Sequence, residues 1–142
     1  MSVPPLTVAP ERTLDGTLGF EPTEVGPELA RGRFAAEDRV KQVFGLVHGG
    51  AFAAFAELLA SQATMLAVAE EGQIAVGLSN HTSFLRPVTQ GIVHAEARRR
   101  HRGRTTWLWE VDFTDDAGRL CAVSRVTLAV RPAPGNGSAQ GV

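Results

Sequence analysis

Between residues 43 and 69 the chain is almost wholly apolar, and two features break the run: a His48-Gly49-Gly50 triplet near its start and a single carboxylate, Glu57, near its middle. Alanine- and leucine-rich sequence of this length is a strong helix former. Apolar residues on nearly every face through the first three turns require that other elements cover the helix on most sides. The spacing predicts a helix over residues 50–70, entered through two glycines that let the backbone turn tightly and approach a ligand. The first N–H groups of a helix lack intrahelical partners. With the positive end of the helix dipole, they suit an anion or a carbonyl oxygen that becomes anionic during reaction. A membrane span needs about 20 apolar residues, but Glu57 at the centre, the His48-Gly49-Gly50 break, Gln62, Thr64 and the absence of basic flanking anchors argue against one.

Glu57 is the odd residue. An unpaired carboxylate is almost never fully buried, so Glu57 lies either on one wet strip of the helix or among partners that hold it there for a purpose. Ser61 follows at i+4 on the same face, where its hydroxyl can hold the carboxylate or a water. Gly49 and Glu57 are eight positions apart, roughly 12 Å along a helix. One substrate carbonyl cannot touch both. If the helix start polarises a carbonyl while Glu57 attacks it or activates water, the two groups must come from two copies of the chain. This predicts a site shared across a dimer interface.

At 142 residues the chain is one domain with room for a sizeable core, and 44% hydrophobic with 20% charged residues is ordinary for a soluble globular protein. A net charge of −1 offers no bulk attraction to nucleic acid or to an anionic membrane, so neither is an expected partner. The lone Cys121 cannot form an internal disulfide and suits a reducing, cytoplasmic setting as a small core residue. No basic segment followed by an apolar one opens the chain, so no secretory signal is expected.

Residues 1–10 carry three prolines and no periodic pattern, and residues 1–12 read as a flexible arm without chemistry. Asp15-Gly16 reads as a turn within residues 14–21, and residues 29–36 as a strand. After the helix, stopped by Glu70-Glu71-Gly72, strands dominate. Ile74, Val76 and Leu78 alternate within a strand running to Leu85 and stopped at Arg86-Pro87. Residues 92–100 place Ile92, His94, Glu96, Arg98 and Arg100 on one face. Residues 105–114 place Trp107, Trp109, Val111 and Phe113 on one face. Asp115-Asp116-Ala117-Gly118 is a hairpin turn, and residues 120–130 form the last strand. The Pro, Gly, Ser and Asn content of residues 133–142 reads as a disordered tail. One long helix followed by hairpin-linked strands predicts an α+β domain over residues 13–132, an antiparallel sheet wrapped around the helix.

No phosphate loop, dinucleotide fingerprint or zinc pattern is present. His48, His81, His94 and His101 lack ligand spacing, so no metal is expected. Ser61, Ser79 and Ser83 lack the strand-turn-helix context of a serine nucleophile. The run Arg98-Arg99-Arg100-His101-Arg102-Gly103-Arg104 reads first as a solvated strand end and second as a clamp for phosphates.

These residues resemble the hotdog-fold thioesterases, and most closely the 4-hydroxybenzoyl-CoA thioesterase branch with its acidic residue on the central helix. The similarity runs over roughly residues 13–132. It is carried by Thr13-Leu14-Asp15-Gly16-Thr17, Gly45-Leu46-Val47-His48-Gly49-Gly50-Ala51, Ala56-Glu57, Ser79-Asn80-His81-Thr82-Ser83-Phe84, Arg86-Pro87-Val88, Thr105-Thr106-Trp107 and the stretch from Asp115 to Val123. A related branch uses an aspartate just ahead of the helix, and residues 41–50 contain none.

The resemblance implies hydrolysis of an aromatic acyl-CoA, 4-hydroxybenzoyl-CoA first, to free acid and CoA. 1,4-dihydroxy-2-naphthoyl-CoA, phenylacetyl-CoA or silent acyl-CoA binding are the alternatives. Glu57 takes the place of nucleophile or general base, Gly49 that of N–H donor to the thioester oxygen, and Gln42 and Ser61 those of groups orienting Glu57 or water. His48 and Arg86 fall where the family contacts substrate and CoA, and Arg104 and Thr105 at a CoA-contacting turn. Ser61 stands where threonine is usual and Arg104 where a small hydroxyl residue is usual. The reaction needs no cofactor, CoA being part of the substrate, and a homotetramer built from two dimers is implied.

Overall fold

A computed structural model describes residues 3–135. Its frame is one six-stranded antiparallel sheet and one 21-residue helix, α2 (Gly49–Ala69). The strands are β1 (Glu21–Val25), β2 (Leu29–Ala35), β3 (Gln73–Phe84), β4 (Ile92–Arg102), β5 (Thr106–Thr114) and β6 (Leu120–Pro132), in the order β1-β2-β4-β5-β6-β3. The helix touches all six strands. The expected α+β architecture, a sheet around one long central helix, is the one observed.

The core forms where the two periodicities meet. Phe52, Phe55 and Leu59 descend from the helix onto Phe34, Trp107, Trp109, Val111, Phe113 and Leu128 of the sheet, all buried. Burying each such side chain contributes about 1.5–3 kcal/mol. The alternating face read from residues 107–113 is the inner face of β5. The indole N–H of Trp109 donates to Thr64 Oγ1 at 2.9 Å, and Thr64 Oγ1 donates to the Ala60 carbonyl at 2.8 Å, so the polar atoms in this core are satisfied. Cys121 is a buried free thiol. By length and apolar content α2 could cross a membrane, yet half of it is buried as the core helix.

Several expectations need correction. β1, with Pro22 and two glutamates, lacks an alternating apolar pattern and exists because β2 offers it an edge. Residues 14–17 are a one-turn helix, α1 (Leu14–Thr17), capped by the Thr13 hydroxyl, rather than a simple turn. Pro10–Arg12, inside the expected arm, forms a 3-10 turn tied to it. The regular alternation expected along β4 breaks at a bulge between Arg99 and His101. Val76 and Leu78 are 51% and 57% exposed, and Gly77 between them is the residue turned toward α2. The tail lies mainly outside the described residues.

Candidate active site

The entry into α2 is held from both sides. Val47 N–H donates to the Val88 carbonyl at 2.9 Å and His48 N–H to the Val40 carbonyl at 2.7 Å. His48 Nδ1 accepts from the Gly50 N–H at 2.8 Å and caps the helix. With Nδ1 used as acceptor, a neutral ring carries its proton on Nε2. The Gly49 N–H has no hydrogen-bond partner among the described residues. It is a free donor at the positive end of a long helix.

Neither Gly49 nor Gly50 has positive φ, so the pair does not make the tight turn that the sequence suggested. Closeness of packing explains Gly49 instead: a Cβ there would stand 2.6 Å from the Phe84 ring. Gln42, His48, Gly49, Phe84 and Arg86 line a cleft of about 560 Å³ at this end of the helix. Within it, the Gln42 side-chain carbonyl accepts from the Phe44 N–H of its own loop. Arg86 is exposed and has no ion pair among the described residues.

Two turns further on lies a second cleft of about 430 Å³, containing Glu57 and Ser61 with Leu14, Asp15, Leu58 and Met65. In the single chain Glu57 is exposed, on the wet strip of α2, while Ser61 is half-buried. No direct hydrogen bond joins the two, so Ser61 shares the cleft without holding the carboxylate. Glu57 rests against β3: a Cβ added at Gly77 would lie 2.9 Å from Glu57 Oε1. Below that turn of α2, Asn80 Nδ2 donates to the Ala53 carbonyl at 2.8 Å. Thr82 Oγ1 lies 2.8 Å from both Asn80 Oδ1 and Ser124 Oγ, so the chain of bonds ties helix to sheet edge.

Sequence reasoning gave Asp15 no role, because Asp-Gly reads as turn chemistry. Its carboxyl lies in the Glu57 cleft, and burial, followed by the neighbouring Glu57 charge, holds it above the usual carboxylate range. Phe84 and Gly77, the contacts of Gly49 and Glu57 on β3, were also missed, since only the fold brings them there.

One chain therefore groups Gln42, His48, Gly49 and Arg86 in one cleft and Glu57 with Ser61 in another, and it does not unite them. Arg104 lines a third depression with Arg102, Glu71 and Trp107 at the other end of the helix. Thr105 is exposed, and its carbonyl accepts from Val130 N–H and Arg131. The basic run is mostly committed: Arg98 pairs with Glu96, Arg99 with Glu28, Arg100 with Glu110 and Arg102 with Glu71. Arg99 and Arg102 also lie over the Trp107 ring, 5.0 and 4.9 Å from its centre. Arg104 is the arginine of the run without an ion pair among the described residues. No group of three or more His, Cys, Asp or Glu able to hold a metal occurs among them.

This arrangement has relatives. The proofreading thioesterase EntH of Cronobacter turicensis is 38% identical over 130 residues, covering 92% of this chain and 94% of that one. The solved structure of a Haemophilus influenzae thioesterase superposes with a TM-score of 0.83 at 34% identity, covering 90% of this chain and 89% of that one. Two solved variants of a Staphylococcus aureus protein, called a thioesterase enzyme in one of them, superpose with TM-scores of 0.80 at 28% and 29% identity. They cover 84% of this chain and 98% and 99% of theirs. Residues 44–122, more than half of the sequence and including the α2 residues of both clefts, match the thioesterase superfamily. The chain belongs to that superfamily, and it is a thioester hydrolase of the hotdog fold.

Proposed function

We propose that the protein hydrolyses aromatic acyl-CoA thioesters, 4-hydroxybenzoyl-CoA first among them, at a site that two copies of the chain complete. One observation carries this: the two half-sites abut different ends of the same edge strand. Gly49 rests on Phe84, near the C-terminal end of β3, and Glu57 rests on Gly77, nearer its start. β3 has a free outer edge. A second β3 pairing antiparallel along that edge, centred between Asn80 and His81, sets Gly77 of one protomer opposite the partner's Phe84. Glu57 then faces the partner's Gly49 N–H twice, once in each symmetry-related site. The pairing also covers Val76 and Leu78.

In such a site the thioester carbonyl oxygen accepts from the Gly49 N–H. The Glu57 carboxylate either attacks the carbonyl carbon or takes a proton from the attacking water, and charge developing on the oxygen is stabilised at the helix start. With water as the nucleophile, collapse of the tetrahedral intermediate breaks the C–S bond and the proton taken by Glu57 passes to the departing sulfur, giving CoA thiol and the acid; with Glu57 as the nucleophile, collapse expels the CoA thiolate, which takes a proton from water, and leaves a mixed anhydride on Glu57 that a second water hydrolyses to the acid. The reaction needs no metal or cofactor. Gln42 and His48 of the partner and Ser61 orient substrate and water, and Arg86, free at the mouth, meets the CoA phosphates. Arg104 and Thr105 are kept as further CoA contacts. The substitutions in the two Staphylococcus aureus variants support this pairing of roles. One replaces a glutamine and the other a glutamate fifteen residues further on, the separation of Gln42 and Glu57 here.

The apolar walls of the Glu57 cleft, Leu14, Leu58, Met65 and Ala75, support an aryl group as the acyl part. The EntH likeness favours a second reading, a proofreading hydrolase of broader acyl range. Thiol release across aryl-CoA and alkyl-CoA substrates separates the two: a sharp 4-hydroxybenzoyl preference supports the first, a flat profile the second. Glu57→Gln keeps shape and removes charge. Its kcat is expected to fall by at least ~10³, roughly 4 kcal/mol of transition-state stabilisation. A Glu57→Gln protein within a few-fold of the parent refutes the assignment.

A further inference from the structure

β3 seats α2 at three successive turns. Gly49 packs against Phe84, the Ala53 carbonyl accepts from Asn80 Nδ2 at 2.8 Å, and Glu57 rests at Gly77. Ala53 lies one turn from Gly49 and one turn from Glu57, about 6 Å along the helix either way. The outer two are contacts of shape, which tolerate some sliding of helix along strand. The middle one is a hydrogen bond, which weakens steeply as its distance and angle are spoiled. Within the helix the same carbonyl accepts from the Glu57 N–H. Asn80 therefore holds the peptide group on which the Glu57 turn closes.

Asn80 is itself held. A carbonyl only accepts, so the amide must aim its nitrogen at α2 and its oxygen away. That oxygen accepts from Thr82 Oγ1 at 2.8 Å, and with the Thr82 proton so committed, Ser124 Oγ donates to Thr82 Oγ1 at 2.8 Å. Thr82 and Ser124 face each other across β3 and β6. Ser124 is 4% exposed and, with Thr64, one of two buried polar residues among the described ones. Asparagine is a poor strand former, and the buried face it joins is otherwise apolar at Trp109, Val126 and Leu128. The donors run in file from Ser124 through Thr82 and Asn80 to α2. Apolar side chains in their place would cover the helix at little cost in stability, but none of them would fix its position.

We propose that Asn80 is a positioning residue of the active site: its hydrogen bond to the Ala53 carbonyl sets how far α2 lies along β3, and so places Gly49 and Glu57 together. The inference rests on the two-chain hydrolase site proposed above and adds to it the group that sets the width of that site. Twofold symmetry doubles any slip. A helix shifted along its strand carries Glu57 one way while the partner's helix carries Gly49 the other way. A slip of about half an ångström then alters their separation by about 1 Å, an error that costs up to ~10²-fold in rate.

The test measures kcat and KM for the acyl-CoA that the parent hydrolyses fastest, with a thermal melt of each protein. Asn80→Leu keeps the bulk and removes the amide. It is expected to lower kcat about 10- to 100-fold, to leave KM within about 3-fold and to lower Tm by a few degrees at most. Asn80→Asp, which sets a carboxylate oxygen against the Ala53 carbonyl, is expected to lose at least as much. Thr82→Val should lower kcat about 3- to 10-fold, whereas Thr82→Ser, which keeps the hydroxyl, should stay within about 2-fold of the parent. A kcat within about 3-fold of the parent in both Asn80 variants overturns the proposal. So does Thr82→Ser as impaired as Thr82→Val, or a loss of kcat matched by a loss of affinity and a large fall in Tm, since each would make the network a support of the fold alone. Should the Asn80 variants fail to fold, the Thr82 pair decides. Glu57→Gln is the control: if it is inactive while the Asn80 variants are unimpaired, the hydrolase reading stands and this inference falls, and if it stays within a few-fold of the parent, both fall.

Discussion

Gly77→Ala tests whether the position of one carboxylate oxygen matters, because it adds a single methyl group where the structure has room for none. The added Cβ would lie 2.9 Å from Glu57 Oε1 and 3.7 Å from its carboxyl carbon. A carbon–oxygen contact needs about 3.3 Å or more, so the carboxylate must retreat by about half an ångström or turn to another rotamer. The obstructed atom is the end of a flexible side chain, so the fold can yield there easily. Gly77 has no positive φ, so alanine adopts its backbone without strain. Removing a glycine's freedom from the unfolded chain stabilises by about 0.4–1 kcal/mol where the conformation fits. A misplacement near 1 Å in a positioned catalytic group costs up to ~10²-fold in rate. The expected result is a kcat about 10- to 100-fold lower for aryl-CoA hydrolysis with Tm unchanged or a few degrees higher. Initial rates of CoA thiol release and a thermal melt measure both quantities. A kcat within about 3-fold of the parent, with Tm intact, refutes the claim that Glu57 works from the place where β3 holds it.

Arg86→Ala should raise KM for acyl-CoA about 10-fold or more while changing kcat little, and the loss should shrink for pantetheine thioesters, which lack the nucleotide phosphates. Equal losses on both substrates would make Arg86 structural. Because the folded state holds the Asp15 carboxyl above its ordinary value of 3.8, it binds that proton more tightly than the unfolded chain does, and ionisation above the raised value weakens the fold. Asp15→Asn should therefore have the higher Tm at pH 7, with the difference closing as pH falls from the raised value towards 3.8; a pH-independent gap would contradict this. Co-expressing Glu57→Gln with Gln42→Ala, each inactive alone, should restore about a quarter of parental activity, because half of randomly mixed dimers are hybrids and each hybrid has one intact site. Hybrids that form without activity would place both residues in one protomer's site.

The sequence displays most clearly what repeats. The apolar run of α2 and the Trp107–Phe113 alternation are compositional and periodic signals, and each became an element near the expected bounds. β1 was illegible because its stability comes from pairing to β2 and its residues have no strand pattern of their own. Glu57 was legible as an oddity, and the distance from Gly49 forced the idea of two chains before any fold was known. Asp15 was hidden for the opposite reason: aspartate before glycine is so ordinary in turns that its side chain attracts no notice. Phe84 and Gly77 could not be found by pattern, since their roles come from what α2 lays upon them.

The two edges of the sheet differ in how readily they admit another strand. β1 is five residues long, contains Pro22 and is flanked by Arg33–Glu21 and Arg31–Glu24 ion pairs, features that discourage another strand from adding to it. β3 is twelve residues long, has no proline or charged residue apart from any charge on His81, and exposes Val76 and Leu78. Left open, such an edge invites uncontrolled association. It extends to an apolar surface at the Gly49 end, where Phe84 and Leu85 are more than half exposed and Val43 and Phe44 of the adjoining loop are 94% and 87% exposed. A twofold-related copy removes the exposed edge by pairing it with itself, and the closed pairing admits no third chain there. The same act brings a carboxylate from one end of the strand to a helix N-terminus at the other. In the proposed dimer, the contact that covers the open edge is also the one that assembles the proposed catalytic groups, so the single chain has no reason to bury Glu57 and can leave it on the wet strip of its helix.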